Sequence, residues 1–262
     1  MGNYHAVIEM EAELANTPTD ELAQLVAWGY LYAGNEFLSE ARNKKGEEAD
    51  RLLELAGKNY AAALKIYPAC PEALNNWALV LDEQAQTKKG QEADRLWALA
   101  VERYRAALKI APEFALSLYG WGKVLAAQAE RKKGRVAEQL WARAAQKYEE
   151  ALKVEPAMED ALASWGYLLF TLGRTKSGKQ AEQLYKQASE KFEALHRLNP
   201  RDEKALGNGA LVLLSLGVTK TVEEADRLWT LAIEKCKAAL KLKPDYHEAF
   251  YIGMSDYCCE LT

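Results

Sequence analysis

The sequence predicts an all-α fold, a solenoid of five stacked helix-turn-helix repeats closed by a C-terminal helix. Pro68, Pro112, Pro156, Pro200 and Pro244 stand 44 residues apart, which marks a repeating structural unit. The same step aligns Ala56, Ala100, Ala144, Ala188 and Ala232, and an aromatic column of Tyr60, Tyr104, Tyr148 and Phe192 that ends in Cys236. Six of the seven tryptophans fall in two further columns, Trp77, Trp121 and Trp165, and Trp97, Trp141 and Trp229 with Tyr185 among them. Within a unit the apolar residues recur at three- and four-residue steps, the period of a helix with one buried face.

Residues 1–16 form an N-terminal segment, and residues 17–262 a single repeat domain. In the first repeat, 17–70, helix A reaches back to about Thr19, with Thr17 or Thr19 as cap and Pro18 fixing the entry. A gap-free register puts Ala33-Gly34 in line with the Trp column, which makes Trp28-Gly29 a misleading copy; a five-residue insertion is the alternative. In the second repeat, 71–114, helix A covers about 72–87 and helix B about 91–110, ending before Pro112. Repeats 115–158, 159–202 and 203–246 follow the same plan. Neither helix of a unit can bury its apolar stripe alone, so the units stack. A terminal helix at 247–261 closes the series. Its apolar Phe250, Ile252 and Met254 leave two readings: that face meets a partner, or the chain is a fragment of something longer.

One stretch imitates a nucleotide site. GRTKSGKQ at 173–180 matches seven of the eight positions of the phosphate-cradling loop and lacks the hydroxyl that would hold magnesium at Gln180. Its equivalents, ARNKKGEE, AQTKKGQE, AERKKGRV and GVTKTVEE, recur in every repeat with helices on both sides. A phosphate loop needs a preceding strand. The repeat explains the residues better: lysine suits a helix C-terminus, glycine a left-handed turn just beyond it, and acids the start of the next helix. The lysines Lys44-Lys45, Lys88-Lys89, Lys132-Lys133, Lys176 and Lys220 are therefore expected to be solvated turn caps.

The columns resemble the tetratricopeptide repeat (TPR). Ala100-x3-Tyr104-x2-Ala107-x4-Pro112 and Ala56-x3-Tyr60-x2-Ala63-x4-Pro68 have the family's spacing. Leu118-x2-Trp121-Gly122-x2-Leu125 matches its first half, with Trp at the family's Leu place and Leu at its Tyr place. The resemblance covers about residues 27–260, and the unit is a variant extended to 44 residues from the family's 34. It implies a right-handed superhelix whose A helices line a concave groove. By register the groove holds Leu31, Asn35, Asn75, Leu79, Tyr119, Lys123, Tyr167, Phe170, Leu211, Leu214 and Tyr251, a strip suited to a peptide or helix of a partner protein. Members that grip a chaperone's C-terminal carboxylate use a basic clamp; here those places hold Leu31, Asn35, Asn76, Leu116 and Gly120, so that ligand is not expected.

The expected role is a non-catalytic, cytoplasmic scaffold or adaptor. The alternative is self-association through the C-terminal face. A net charge of −4 argues against a general nucleic-acid binder, and no apolar run is long enough to insert in a membrane. His5, His196 and His247 stand alone and Cys70, Cys236, Cys258 and Cys259 form no ligand pattern, so neither a metal nor another cofactor is expected, and no catalytic residues.

Overall fold

The computed structural model describes residues 10, 11, 14 and 19–246. Among these the secondary structure is helical, without strands. The terminal helix expected at 247–261, with Tyr251, lies outside the described residues. The helices divide between two compact units, Met1–Val154 and Glu155–Thr262.

The first unit holds three hairpins: α1 (Asp20–Ala41) with α2 (Glu47–Ile66), α3 (Pro71–Thr87) with α4 (Gly90–Ile110), and α5 (Ala115–Glu130) with α6 (Gly134–Val154). The second holds two: α7 (Glu159–Arg174) with α8 (Gly178–Leu198), and α9 (Glu203–Val218) with α10 (Val222–Leu242). Helix B starts at Gly90, Gly134, Gly178 and Val222, one every 44 residues. Thr19 caps α1, its Oγ1 accepting the Leu22 N–H at 3.1 Å, while Asp20 and Glu21 face the positive end of the helix.

The A-x3-Y-x2-A columns are the buried stripe of each helix B. Ala56, Tyr60 and Ala63 are sealed from solvent, as are Ala100, Tyr104 and Ala107. Opposite each ring helix A carries a residue with almost no side chain. A Cβ on Gly34 would stand 2.6 Å from Tyr60 Cε1, and one on Gly122 would stand 2.7 Å from Tyr148 Cε1. In the second unit a Cβ on Gly166 would stand 2.9 Å from Phe192 Cζ. Full burial of such a ring contributes about 1.5–3 kcal/mol, and the close approach of the backbones is what permits it. Gly34 therefore occupies the same place as Gly122 and Gly166, the register without a gap. Trp28 lies outside that contact and is half exposed.

The glycine expected just past helix A instead opens helix B. Gly46 directly precedes α2, and Gly90, Gly134 and Gly178 are the first residues of their helices. Their φ values are 65, 58, 60 and 57°, a region that other residues enter at a cost. A Cβ there would meet nothing within 4 Å, so the backbone, not space, demands glycine. Val222 takes this place in the last hairpin, where the turn follows another path: no non-glycine among the described residues has positive φ. Gly90→Ala is expected to lower stability by about 1–2 kcal/mol, read as a fall in the urea midpoint at unchanged m-value.

Candidate functional site

The lysines of the inter-helix turns are more than caps. Lys88 Nζ reaches back 38 residues to Asp50 Oδ2 at 2.9 Å, and Lys132 Nζ to Asp94 Oδ2 at 2.7 Å. In the second unit Lys220 Nζ bonds Glu182 Oε1 at 2.6 Å. Each rung ties the turn of one hairpin to helix B of the hairpin before it. These three ammonium groups are occupied within the protein, whereas Lys45, Lys89 and Lys133 are exposed. The carboxyl of Glu182 also takes Lys186 at 2.7 Å, and the bonds from Lys186 and Lys220 hold its pKa down at about 2 against an ordinary 4.5. A depressed acid contributes stability that is complete above its ordinary pKa and fades as pH falls toward the depressed one. Carboxyl-carbon NMR should place the Glu182 midpoint at about 2, and Lys220→Met should move it upward with Lys186 still bound.

The tryptophans of the A helices are braced from helix B of their own hairpin. Arg103 lies 4.1 Å from the Trp77 ring centroid, Lys147 4.4 Å from Trp121 and Lys191 4.1 Å from Trp165. Cations over aromatic faces attract the ring quadrupole and cover it with the aliphatic stem. Arg131 crosses between hairpins: its guanidinium donates to the carbonyls of Lys88 and Gln86 at 2.8 and 3.0 Å and lies over Trp97 at 4.5 Å.

The A helices of the first unit share a chain of hydrogen bonds. Tyr60 Oη and Asn76 Nδ2 both donate to Asn35 Oδ1 at 2.8 Å. Asn75 Nδ2 donates to Asn76 Oδ1 at 3.0 Å, and Ser117 Oγ to Asn75 Oδ1 at 2.9 Å. Beside it Asp82 is buried, accepting from Trp97 Nε1 at 2.9 Å and Gln86 Nε2 at 3.3 Å. Burial pushes its carboxyl pKa up, against the pull of Trp97, Lys123 and Gln86. The cost of ionising a raised acid is absent below its ordinary pKa and complete above the raised one. Asp82→Asn should therefore gain stability relative to the native protein as pH climbs to neutrality, and lose that advantage in acid; paired urea melts test this.

These contacts sort the groove residues inferred from the repeat. Leu31 and Asn75 are buried, Leu31 in the core of the first hairpin and Asn75 in the hydrogen-bond chain. Asn35, Leu79, Tyr119 and Lys123 are half-buried. Tyr119 packs 6.0 Å from the ring of Tyr148, with Lys123 Nζ 5.8 Å above its own ring. In the second unit Tyr167 is 56% exposed. Phe170 lies 6.1 Å from Tyr185, and Leu211 and Leu214 are half-buried. Sequence reasoning passed over Asp82, although it is the one charge in the column Leu38, Asp82, Ala126, Phe170 and Leu214. It also passed over Leu25 and Tyr32 and took Trp28 only as a misleading copy; the structure leaves all three more than half exposed on α1. Among the described residues no three His, Cys, Asp or Glu side chains gather where they could hold a metal. GRTKSGKQ begins inside α7 and ends inside α8, with no strand before it. No described helix is long and apolar enough to cross a membrane.

Residues 181–259 match the family described as plant specific mitochondrial import receptor subunit TOM20. No curated protein matches the chain. Among solved structures, YrrB, described as a TPR protein with an unusual peptide-binding site, superposes with a TM-score of 0.56 at 17% identity, over 93% of this chain and 96% of its own. The thermophilic TPR protein TTC0263 of Thermus thermophilus gives 0.52 at 18%, over 83% and 98%. MamA gives 0.52 at 15%, over 85% and 94%. At these identities the likeness is one of fold. Joined to the hairpins and to the rings seated on glycine, it makes this chain a protein of the tetratricopeptide-repeat fold.

Proposed function

We propose that the protein is a non-catalytic scaffold or adaptor whose A helices bind a peptide or helix of a partner protein. The observation that carries this is the set of aromatic and polar side chains left partly open on the A helices: Tyr119 with Lys123 in the first unit, Tyr167 with Phe170 in the second. Rigid aromatics that keep one face open make effective anchors, since they bury much area for little lost conformational freedom. Asn35 contributes a second element. Its oxygen is taken by Tyr60 and Asn76, so its amide N–H groups serve a ligand carbonyl. The peptide-binding site named for YrrB and the receptor role named for the matching family agree with this reading.

The structure of the turns supports the non-catalytic part. The stretch that imitates a phosphate loop has no strand before it, and Cys70 and Cys236 are free thiols whose pKa burial raises. A raised thiol is a poor nucleophile, and free thiols suit the reducing cytoplasm we assign as the working compartment.

Replacing Tyr119, Tyr167 and Phe170 together by serine tests the assignment. Far-UV circular dichroism should stay helical, because none of the three is fully buried. Capture of the partner from lysate should fall to background; undiminished capture by a folded triple variant refutes the groove.

A further inference from the structure

The lysine ladder has two loose ends of opposite sign. Each rung joins an acid near the start of helix B to the lysine 38 residues on, in the next hairpin. Lys44, the first lysine of the series, bonds Glu48 in the first turn of α2, within its own hairpin, at 2.8 Å. Asp226, which holds on α10 the place of Asp50 and Asp94, is exposed and has no lysine partner among the described residues. By register, the lysine that Asp226 lacks is the equivalent of Lys44.

The apolar faces tell the same story. Trp229 on α10 is 36% exposed, whereas Trp97 in the same place on α4 is fully buried, with Arg131 of the following hairpin over its ring. Ile233, 53% exposed, stands where Gly57 meets Trp77 and Val80 of the following helix A. The face of α10 that its equivalents bury under the next hairpin is thus open among the described residues. On α1, Leu25, Trp28 and Tyr32 are 58, 51 and 57% exposed. Tyr32 holds the place of Asn76, which lies beside Tyr60 of the preceding helix B. The described N-terminal residues do not close this stripe: Met10 and Leu14 pack on the core of the first hairpin, and Glu11 accepts from Tyr30 Oη at 2.6 Å, on the other side of α1.

We propose that the protein self-associates head to tail, the α10 face of one copy receiving the α1 face of a second copy. Trp229 and Ile233 pack against Leu25, Trp28 and Tyr32, and the second copy's Lys44 bonds Asp226, so the ladder runs through the joint. Charge selects this pairing over symmetric ones. Helix α1 carries Asp20, Glu21, Glu36 and Glu40 and no basic residue, so two α1 faces repel. The second half of α10 supplies the exposed Lys237 and Lys241. The contact joins unlike faces and does not close on itself, so assembly grows with concentration beyond the dimer. None of its residues belongs to the groove set, and the groove triple variant keeps both faces.

The test is light scattering of the full chain from micromolar to submillimolar concentration, with circular dichroism to confirm folding. The native chain is expected to grow with concentration. Trp229→Glu with Ile233→Glu, and separately Leu25→Ser with Tyr32→Ser, should each be monomeric. Mixed, these two variants retain one good face apiece and should form a one-to-one dimer that grows no further. Lys44→Asp and Asp226→Lys should each weaken assembly by about 2- to 5-fold, and the double variant should recover it. A native chain that stays monomeric throughout overturns the proposal. So does an α1 variant that still dimerises through α10, or a mixture that yields no dimer.

Discussion

The contact between a helix-B ring and the bare backbone of helix A opposite sets the distance between the two rods of a hairpin, and most of the structure follows from it. Tyr60 on Gly34, Tyr148 on Gly122 and Phe192 on Gly166 are one contact made three times, with Ala78 in the equivalent place for Tyr104. Nearer the turn a second contact of the same kind recurs, Gly173 under Tyr185 and Gly217 under Trp229. In α7–α8 both seats are present and fix separation and crossing together, because interiors are packed too tightly for a ring to settle elsewhere. The distance between helices in turn decides where the turn lysines arrive, and hence which acids they meet.

Electrostatics refines this frame without creating it. The rungs Lys88–Asp50, Lys132–Asp94 and Lys220–Glu182 are partly exposed, and exposed pairs contribute about 0–1 kcal/mol each. Their effect is directional: a pair bridging two hairpins favours one way of docking them. The cations over Trp77, Trp121 and Trp165 act within one hairpin, shielding an indole with an aliphatic stem.

The fold was legible in the sequence because it is written several times. Columns of alanine, aromatic and tryptophan residues gave helix period, hairpin plan and most of the register; the choice at Trp28 stayed open until the contact of Tyr60 with Gly34 decided it. The lysine rungs were not legible as such, since a partner 38 residues away leaves no local pattern, and the charges read as caps. The site was less legible still. A register assigns Leu31 and Asn75 to the groove side of helix A, but hydrogen bonds to a neighbouring helix and the exact depth of packing decide burial. Those depend on Asn76 and Ser117 in ways no column shows. Exposure of Leu25, Trp28 and Tyr32 is equally a property of what does not cover them.

Nearly identical hairpins face a problem of identity, since any one could dock in its neighbour's place during folding. The run Tyr60–Asn35–Asn76–Asn75–Ser117 and the pair Asp82–Trp97 belong to particular hairpins: the place of Asn35 holds Leu79, Lys123, Tyr167 and Leu211 in the other repeats, and that of Asp82 holds no other acid. Threading the chain one repeat out of step would strand a desolvated carboxylate and several amides, a penalty far larger than any single rung supplies. Polar groups that add little to the depth of the native basin thus raise the floor of its nearest competitors, giving a repetitive chain a single address for each of its parts.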